Sequence, residues 1–344
     1  MVSSLVFACS LRVEMKTIRG RYDGKALLVT SFCWRRSLRP CSVRVVMRIL
    51  ISGSSGLIGR SLTERLRSAG DTLCTLVRRK AEKSQDEIGW DPEAGVLDSS
   101  RLDGVDAVVH LAGKPIASRW TEETKRAIRD SRVRGTKRLA EAVAQLPRRP
   151  KVFIAASAVG FYGSRGDEPL DETSAPGTGF LADVCQEWEE AAAPARDAGI
   201  RTVHLRTGLV LSRKGGLLAR VLLAFKMGAG GIVGTGRQWL SWISLGDATA
   251  AIQYAIGAAE LSGPVNLTAP QPVPNAEFAR TLGKILGRPT LVPVPAFAVS
   301  LLLGEMGDEL LLSGQKVLPK KLLAAGFSFA HPDLESAIRW ALAH

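Results

Sequence analysis

The chain has 344 residues, enough for a nucleotide-binding domain and a smaller lobe. Hydrophobic residues make up 46% and charged residues 23%, the proportions of a globular protein. No apolar run reaches the roughly eighteen residues that a membrane span needs. The net charge of +13 is uneven: residues 1–46 hold seven Arg and two Lys against one Glu and one Asp, which is +7 of the total. The other 298 residues carry the remaining +6 and show no basic stripe interleaved with aromatics, which argues against a nucleic-acid partner.

Residues 1–46 are rich in Arg and Ser and poor in acids. They lack the apolar core and small-residue cleavage site of a secretory signal, which leaves two readings. One is an organelle-targeting segment. The other, preferred here, is a mis-called upstream start, disordered or not, with the folded domain beginning at Met47, because Met47 runs straight into the strand-like Arg48-Ile49-Leu50-Ile51. Cys9, Cys33 and Cys41 lie in this extension. Cys74 and Cys185, in the body, have no metal-ligand spacing and suit a reducing compartment, here the cytoplasm, so no metal is expected.

From Met47 the pattern is strand, tight turn, helix, strand. Residues 45–51 form a short apolar run bounded by Ser-Gly, as a buried parallel strand does. Ile58, Leu62 and Leu66 recur every four residues, which predicts an amphipathic helix closed by Gly70. Strands are expected over 72–77, 105–111, 152–156 and 202–211, and helices over 121–146 and 182–198. Alternating strands and helices imply an α/β Rossmann-like fold, a doubly wound parallel sheet. Prolines crowd 264–274 and 289–295 on either side of a helix at 275–286, and the chain from Leu301 onward reads as broken helix. The expected organisation is a dinucleotide-binding domain over 47–215 and a small C-terminal α/β substrate lobe over 216–344, whose last part spans about 290–340.

Gly53-Ser54-Ser55-Gly56-Leu57-Ile58-Gly59 joins the first strand to the first helix. A lone G-x-x-G-x-x-G is a weak signal, but in this frame it reads as a phosphate-binding turn. Glycines let the backbone approach a pyrophosphate, and the helix N-terminus supplies free N–H donors and partial positive charge. At the end of the second strand, where NAD sites carry an acid for the ribose 2′-hydroxyl, the chain has Arg78-Arg79-Lys80. A guanidinium can grip a 2′-phosphate through paired hydrogen bonds, so NADP(H) is the expected cofactor.

These residues resemble a family. Residues 47–53 with the glycine turn, 106–113 (Asp-Ala-Val-Val-His-Leu-Ala-Gly) and 156–163 (Ala-Ser to Phe-Tyr-Gly) are similar to the extended short-chain dehydrogenases/reductases. Trp120 with Ser131-Arg132, residues 185–189, 206–211 and 314–319 narrow this to an atypical "epimerase family" subgroup whose C-terminal domain has no known function. The resemblance spans about 47–340. It implies that Arg79, with Arg78 alongside, holds the 2′-phosphate, and that Leu111, Ala112 and Gly113 line the adenosine half. It also implies that Arg132 adds a cofactor contact and that Leu209 lies near the nicotinamide.

The wider superfamily works with a Tyr and a Lys four residues later on one helix, which lowers the phenol's pKa. Tyr22, Tyr162 and Tyr254 are followed four on by Ala26, Gly166 and Ala258, and the expected region reads Gly179-Phe180-Leu181-Ala182-Asp183-Val184-Cys185. The dyad is missing. Ser157 and Tyr162 remain as candidate hydrogen-bonding and proton-donating groups. The leading expectation is an NADP(H)-dependent oxidoreductase or epimerase-like enzyme acting on a small carbonyl or sugar-derived molecule. The alternative is a non-catalytic NADP(H)-binding sensor or partner-binding protein.

Overall fold

A computed structural model describes residues 16–22, 25–31, 46–78, 86–290 and 293–344. In the extension, β1 (Lys16–Tyr22) and β2 (Lys25–Ser31) pair antiparallel with each other, Lys16 opposite Ser31. The Asp-Gly pair between them in sequence is a strong hairpin signal, flanked by β-prone Thr, Ile, Leu and Val.

The main sheet contains β3 (Arg48–Ser52), β4 (Thr72–Val77), β5 (Glu87–Asp91), β6 (Val96–Leu97), β7 (Ala107–His110), β8 (Val152–Ala158), β10 (Arg201–Thr207) and β14 (Gly263–Leu267). Its order is β14-β10-β8-β7-β3-β4-β5-β6, and only β6 runs antiparallel to its neighbour. The expected Rossmann-like α/β fold is therefore present. Period-2 alternation sends Ile49, Ile51, Val109, Ile154 and Leu205 to one apolar layer with α1 (Leu57–Ser68) and α6 (Leu245–Gly257). Leu50, Val108 and Phe153 join the opposite layer with α2 (Glu122–Ala144). Leu62 and Leu66 of α1 are fully buried, each worth about 1.5–3 kcal/mol of transfer free energy.

Three boundaries differ from the sequence reading. The expected helix at 182–198 is α3 (Phe180–Glu190) followed by α4 (Ala193–Asp197), because Pro194 opens a new helix and cannot continue the old one. The expected strand at 202–211 ends at Thr207. After Gly208 the chain leaves the main sheet as β11 (Leu209–Leu211), which pairs with β13 (Trp242–Ser244). A side chain on Gly208 would overlap the carbonyl of Ser241, so only glycine makes this turn. The proline-rich stretch hides β14, which tolerates Pro264 because it is the sheet's edge.

The rest of the chain forms small pairings over the strand ends. β9 (Pro169–Leu170) pairs with β16 (Lys316–Val317), and β12 (Trp239–Leu240) with β15 (Val273–Pro274). α5 (Gly216–Lys226), α7 (Asn275–Leu286), α8 (Ala296–Leu303) and a last helix Leu334–Ala343 complete it. Asp247, buried at the start of α6, accepts hydrogen bonds from the N–H groups of Ala330 and His331, at 2.8 and 3.0 Å, and ties the last stretch to the sheet.

Candidate functional site

A cleft of about 460 Å3 opens at the C-terminal ends of the strands. The glycine turn forms one wall. Gly53 has φ +72°, and a Cβ there would stand 2.7 Å from the carbonyl carbon of Leu111, so β3 and β7 meet backbone to backbone. α1 then starts without a cap: Gly56 precedes it, no side chain bonds its first N–H groups, and its first turn holds no acid. α2, α6 and the last helix are capped by Thr121, Ser244 and Asp333, while α3, α5, α7 and α8 also lack a side-chain cap. What marks α1 is that its open N–H groups and glycine turn line the cleft. Uncapped N–H donors on a cleft are an anion site.

Gly53, Gly56, Leu57, Ile58, Gly59, Leu111, Gly113, Arg132 and Leu209 line the cleft, so most of the expected contacts converge there. Ser54, Ser55 and Ala112 belong to the same two turns without lining it. Arg78 is exposed at the end of β4, and Arg79 lies outside the described residues. Ser52 supports the second turn from beneath: its Oγ accepts the Ala112 N–H at 3.3 Å and lies 2.6 Å from His110 Nδ1. His110 is completely buried, and that burial pushes its pKa down to about 4, which keeps the ring neutral.

Among the described residues that line the cleft none is acidic, and Lys114 and Arg132 are basic. Arg132 packs its guanidinium 5.0 Å from the Trp188 ring and donates to the carbonyls of Lys114 and Ile128, each at 3.1 Å. It has no carboxylate partner among the described residues, and desolvation lowers its pKa. A partly desolvated cation without a counter-ion favours an anionic ligand. The cleft therefore suits a dinucleotide on both walls.

Ser157 and Tyr162 do not line it. Tyr162 is fully buried. Its hydroxyl donates to Asn266 Oδ1 at 2.7 Å and accepts from Arg206 Nη1 at 3.0 Å. Ser157 donates to Glu189 Oε1 at 2.7 Å, and Arg206 grips the same carboxylate with Nε and Nη2 at 2.8 and 2.9 Å. Burial raises the Tyr162 pKa. Both residues belong to a buried network that locks the ends of β8, β10 and β14 together. Sequence reading also missed Lys114, Ile116, Ala156 and Thr207, which line the cleft from strand ends and the loop after β7. Their only signal is that position, since ligands bind where such strands end.

Residues 49–267 match the model of the NAD dependent epimerase/dehydratase family, and residues 294–341 match a domain of unknown function, DUF1731. The chain belongs to the NAD dependent epimerase/dehydratase family. Within that family it is 47% identical over 294 residues to an epimerase family protein of Mycobacterium tuberculosis, covering 85% of this chain and 97% of the relative. Among solved structures it resembles human epimerase family protein SDR39U1 with NADPH, at a TM-score of 0.79 and 33% identity, covering 87% of this chain and all of the other. A nucleoside-diphosphate sugar epimerase of Corynebacterium glutamicum gives a TM-score of 0.73 and 39% identity, covering 87% of this chain and 58% of that one.

Proposed function

We propose that this chain binds NADP(H) and reduces or epimerises a small carbonyl or sugar-derived molecule, with residues 47–215 holding the cofactor and 216–344 the substrate. The observation that carries the reading is the uncapped start of α1 facing a cleft without acids. Gly53, Ser54, Ser55, Gly56, Leu57, Ile58 and Gly59 cradle the pyrophosphate. Arg78 and Arg79 take the 2′-phosphate, Leu111, Ala112 and Gly113 the adenosine half, Arg132 a further contact, and Leu209 the nicotinamide end. The NADPH bound to the human relative supports this choice of cofactor. When bound, the dihydronicotinamide supplies a hydride, and the protein orients the substrate against it.

A second reading, a non-catalytic NADP(H) sensor, is favoured by one observation: among the described residues that line the cleft there is no Tyr, His, Asp, Glu or Cys. Titration with NADPH and NADH, followed by a panel of small carbonyls and nucleotide sugars read by nicotinamide absorbance, separates the two. Tight NADPH binding with turnover supports the enzyme, binding without turnover the sensor, and no binding refutes both.

A further inference from the structure

Five of the six large apolar side chains that stand exposed among the described residues lie on two helices. On α8, within the domain of unknown function, Phe297, Leu301 and Leu302 are 73%, 80% and 78% exposed. Phe297 and Leu301, four apart, sit opposite the buried Val299 and so occupy the pole that faces away from the protein. On α5 the buried side is Leu218 and Phe225. The opposite pole, continued by the C-cap Met227, carries Arg220 and Leu223, with Leu223 64% and Met227 68% exposed. Both helices spring from one seam. Val294, two residues before α8, donates to the carbonyl of Ile232 and accepts the Gly234 N–H, each at 2.8 Å, in the chain that follows α5.

The charge around these side chains is mostly of one sign. Between Ser212 and Gln238 the chain holds Arg213, Lys214, Arg220, Lys226 and Arg237 and no acid. All five are exposed, and none has an ion-pair partner among the described residues. α7, which packs on α5, adds Glu277 but also Arg280 and Lys284. α8 carries no charge, and the acids that follow it are engaged within the protein. Glu305 pairs with Lys125, Asp308 accepts the Ser300 hydroxyl, and Glu309 accepts the N–H groups of Phe180 and Leu181.

We propose that this face docks on an anionic lipid surface, lying on it rather than crossing it. Phe297, Leu301 and Leu302 of α8 and Leu223 and Met227 of α5 enter the boundary between headgroups and acyl chains, and the bases beside α5 meet the headgroups. Apolar side chains that protrude from helix poles give a bilayer something to take in, whereas a helical peptide partner needs a groove to fill. Exposed Lys and Arg each add attraction to an anionic leaflet. A second copy fits the face poorly. A two-fold contact puts the same patch on both partners, which sets the bases of one α5 against those of the other.

Flotation of the full chain with vesicles of phosphatidylcholine alone, or of phosphatidylcholine with phosphatidylglycerol, tests this. The chain should float with the anionic vesicles, stay behind with the neutral ones, and come off as salt rises. Residues 1–46 are themselves basic, so the variants decide. Phe297→Ser with Leu301→Ser, and separately Leu223→Ser with Met227→Ser, should each weaken vesicle binding about tenfold or more at an unchanged melting temperature. Arg220→Gln with Lys226→Gln should weaken it about tenfold, and keeps the test open if a serine variant fails to fold. Undiminished binding by the folded variants would assign the lipid contact to residues 1–46 and overturn the proposal. An unaltered chain that binds no anionic vesicles would overturn it as well. So would a dimer that the serine variants split into monomers, which would give the face to a second copy.

Discussion

Gly59 lies directly against Gly53. A Cβ on Gly59 would overlap the Gly53 carbonyl oxygen and stand 2.8 Å from the Cα of Ser54, whereas one on Gly56 meets nothing closer than 3.3 Å. The three glycines of the turn therefore serve different ends. Gly59 lets α1 seat on the turn, Gly53 lets the turn pass Leu111, and Gly56 leaves the backbone open to the cleft.

Gly59→Ala should destabilise the fold by about 3 kcal/mol or more, since helix and turn must separate. Gly56→Ala, at φ −74°, should leave the melting temperature nearly unchanged and weaken NADPH by about tenfold or more, because the methyl group enters the pyrophosphate's path. Thermal unfolding and cofactor titration of both variants check the division; equal melting losses would refute it.

His110 should make the protein acid-sensitive. Its folded pKa lies below its unfolded value near 6.5, so its contribution is present above that value and fades as pH falls toward about 4. The expected loss across that window is about 3 kcal/mol. Denaturant unfolding at several pH values, compared with His110→Gln, measures it. A variant that loses as much stability over the same window would assign the effect to other groups.

Arg206 and Glu189 form an ion pair with side chains 5% and 12% exposed. Removing one partner strands the other, so Arg206→Leu should cost about 3–5 kcal/mol. The double variant Arg206→Leu with Glu189→Leu should recover part of this loss in chemical denaturation. A double variant worse than the sum of the singles would mean that Ser157 and Tyr162 depend on the charges themselves.

Changing Arg78 and Arg79 together to Ala should weaken NADPH roughly ten- to hundredfold and barely affect NADH. Arg78 is exposed, so the preference should shrink as salt rises. Equal binding of NADPH and NADH by the unaltered protein would remove the basis of the cofactor assignment.

The cofactor wall was legible because it is local: strand, glycines and helix follow one another within the twenty-one residues after Met47. Core faces were legible through their alternation. That Ser157 and Tyr162 lie off the cleft was not legible, since a tyrosine's burial depends on partners such as Asn266 and Arg206 that lie far along the chain. Ala330 and His331 likewise gave no hint of Asp247.

Those last two backbone contacts bear on what can be cut away. Asp247 is 2% exposed, and its carboxylate accepts the N–H groups of residues 330 and 331 together with the Ser244 hydroxyl. Deleting the C-terminal domain would leave that buried charge at the start of α6 with Oδ1 unanswered and Oδ2 held by the Ser244 hydroxyl alone. The domain of unknown function is thus no detachable module for grafting or truncation, and its removal should unfold the nucleotide-binding half along with it.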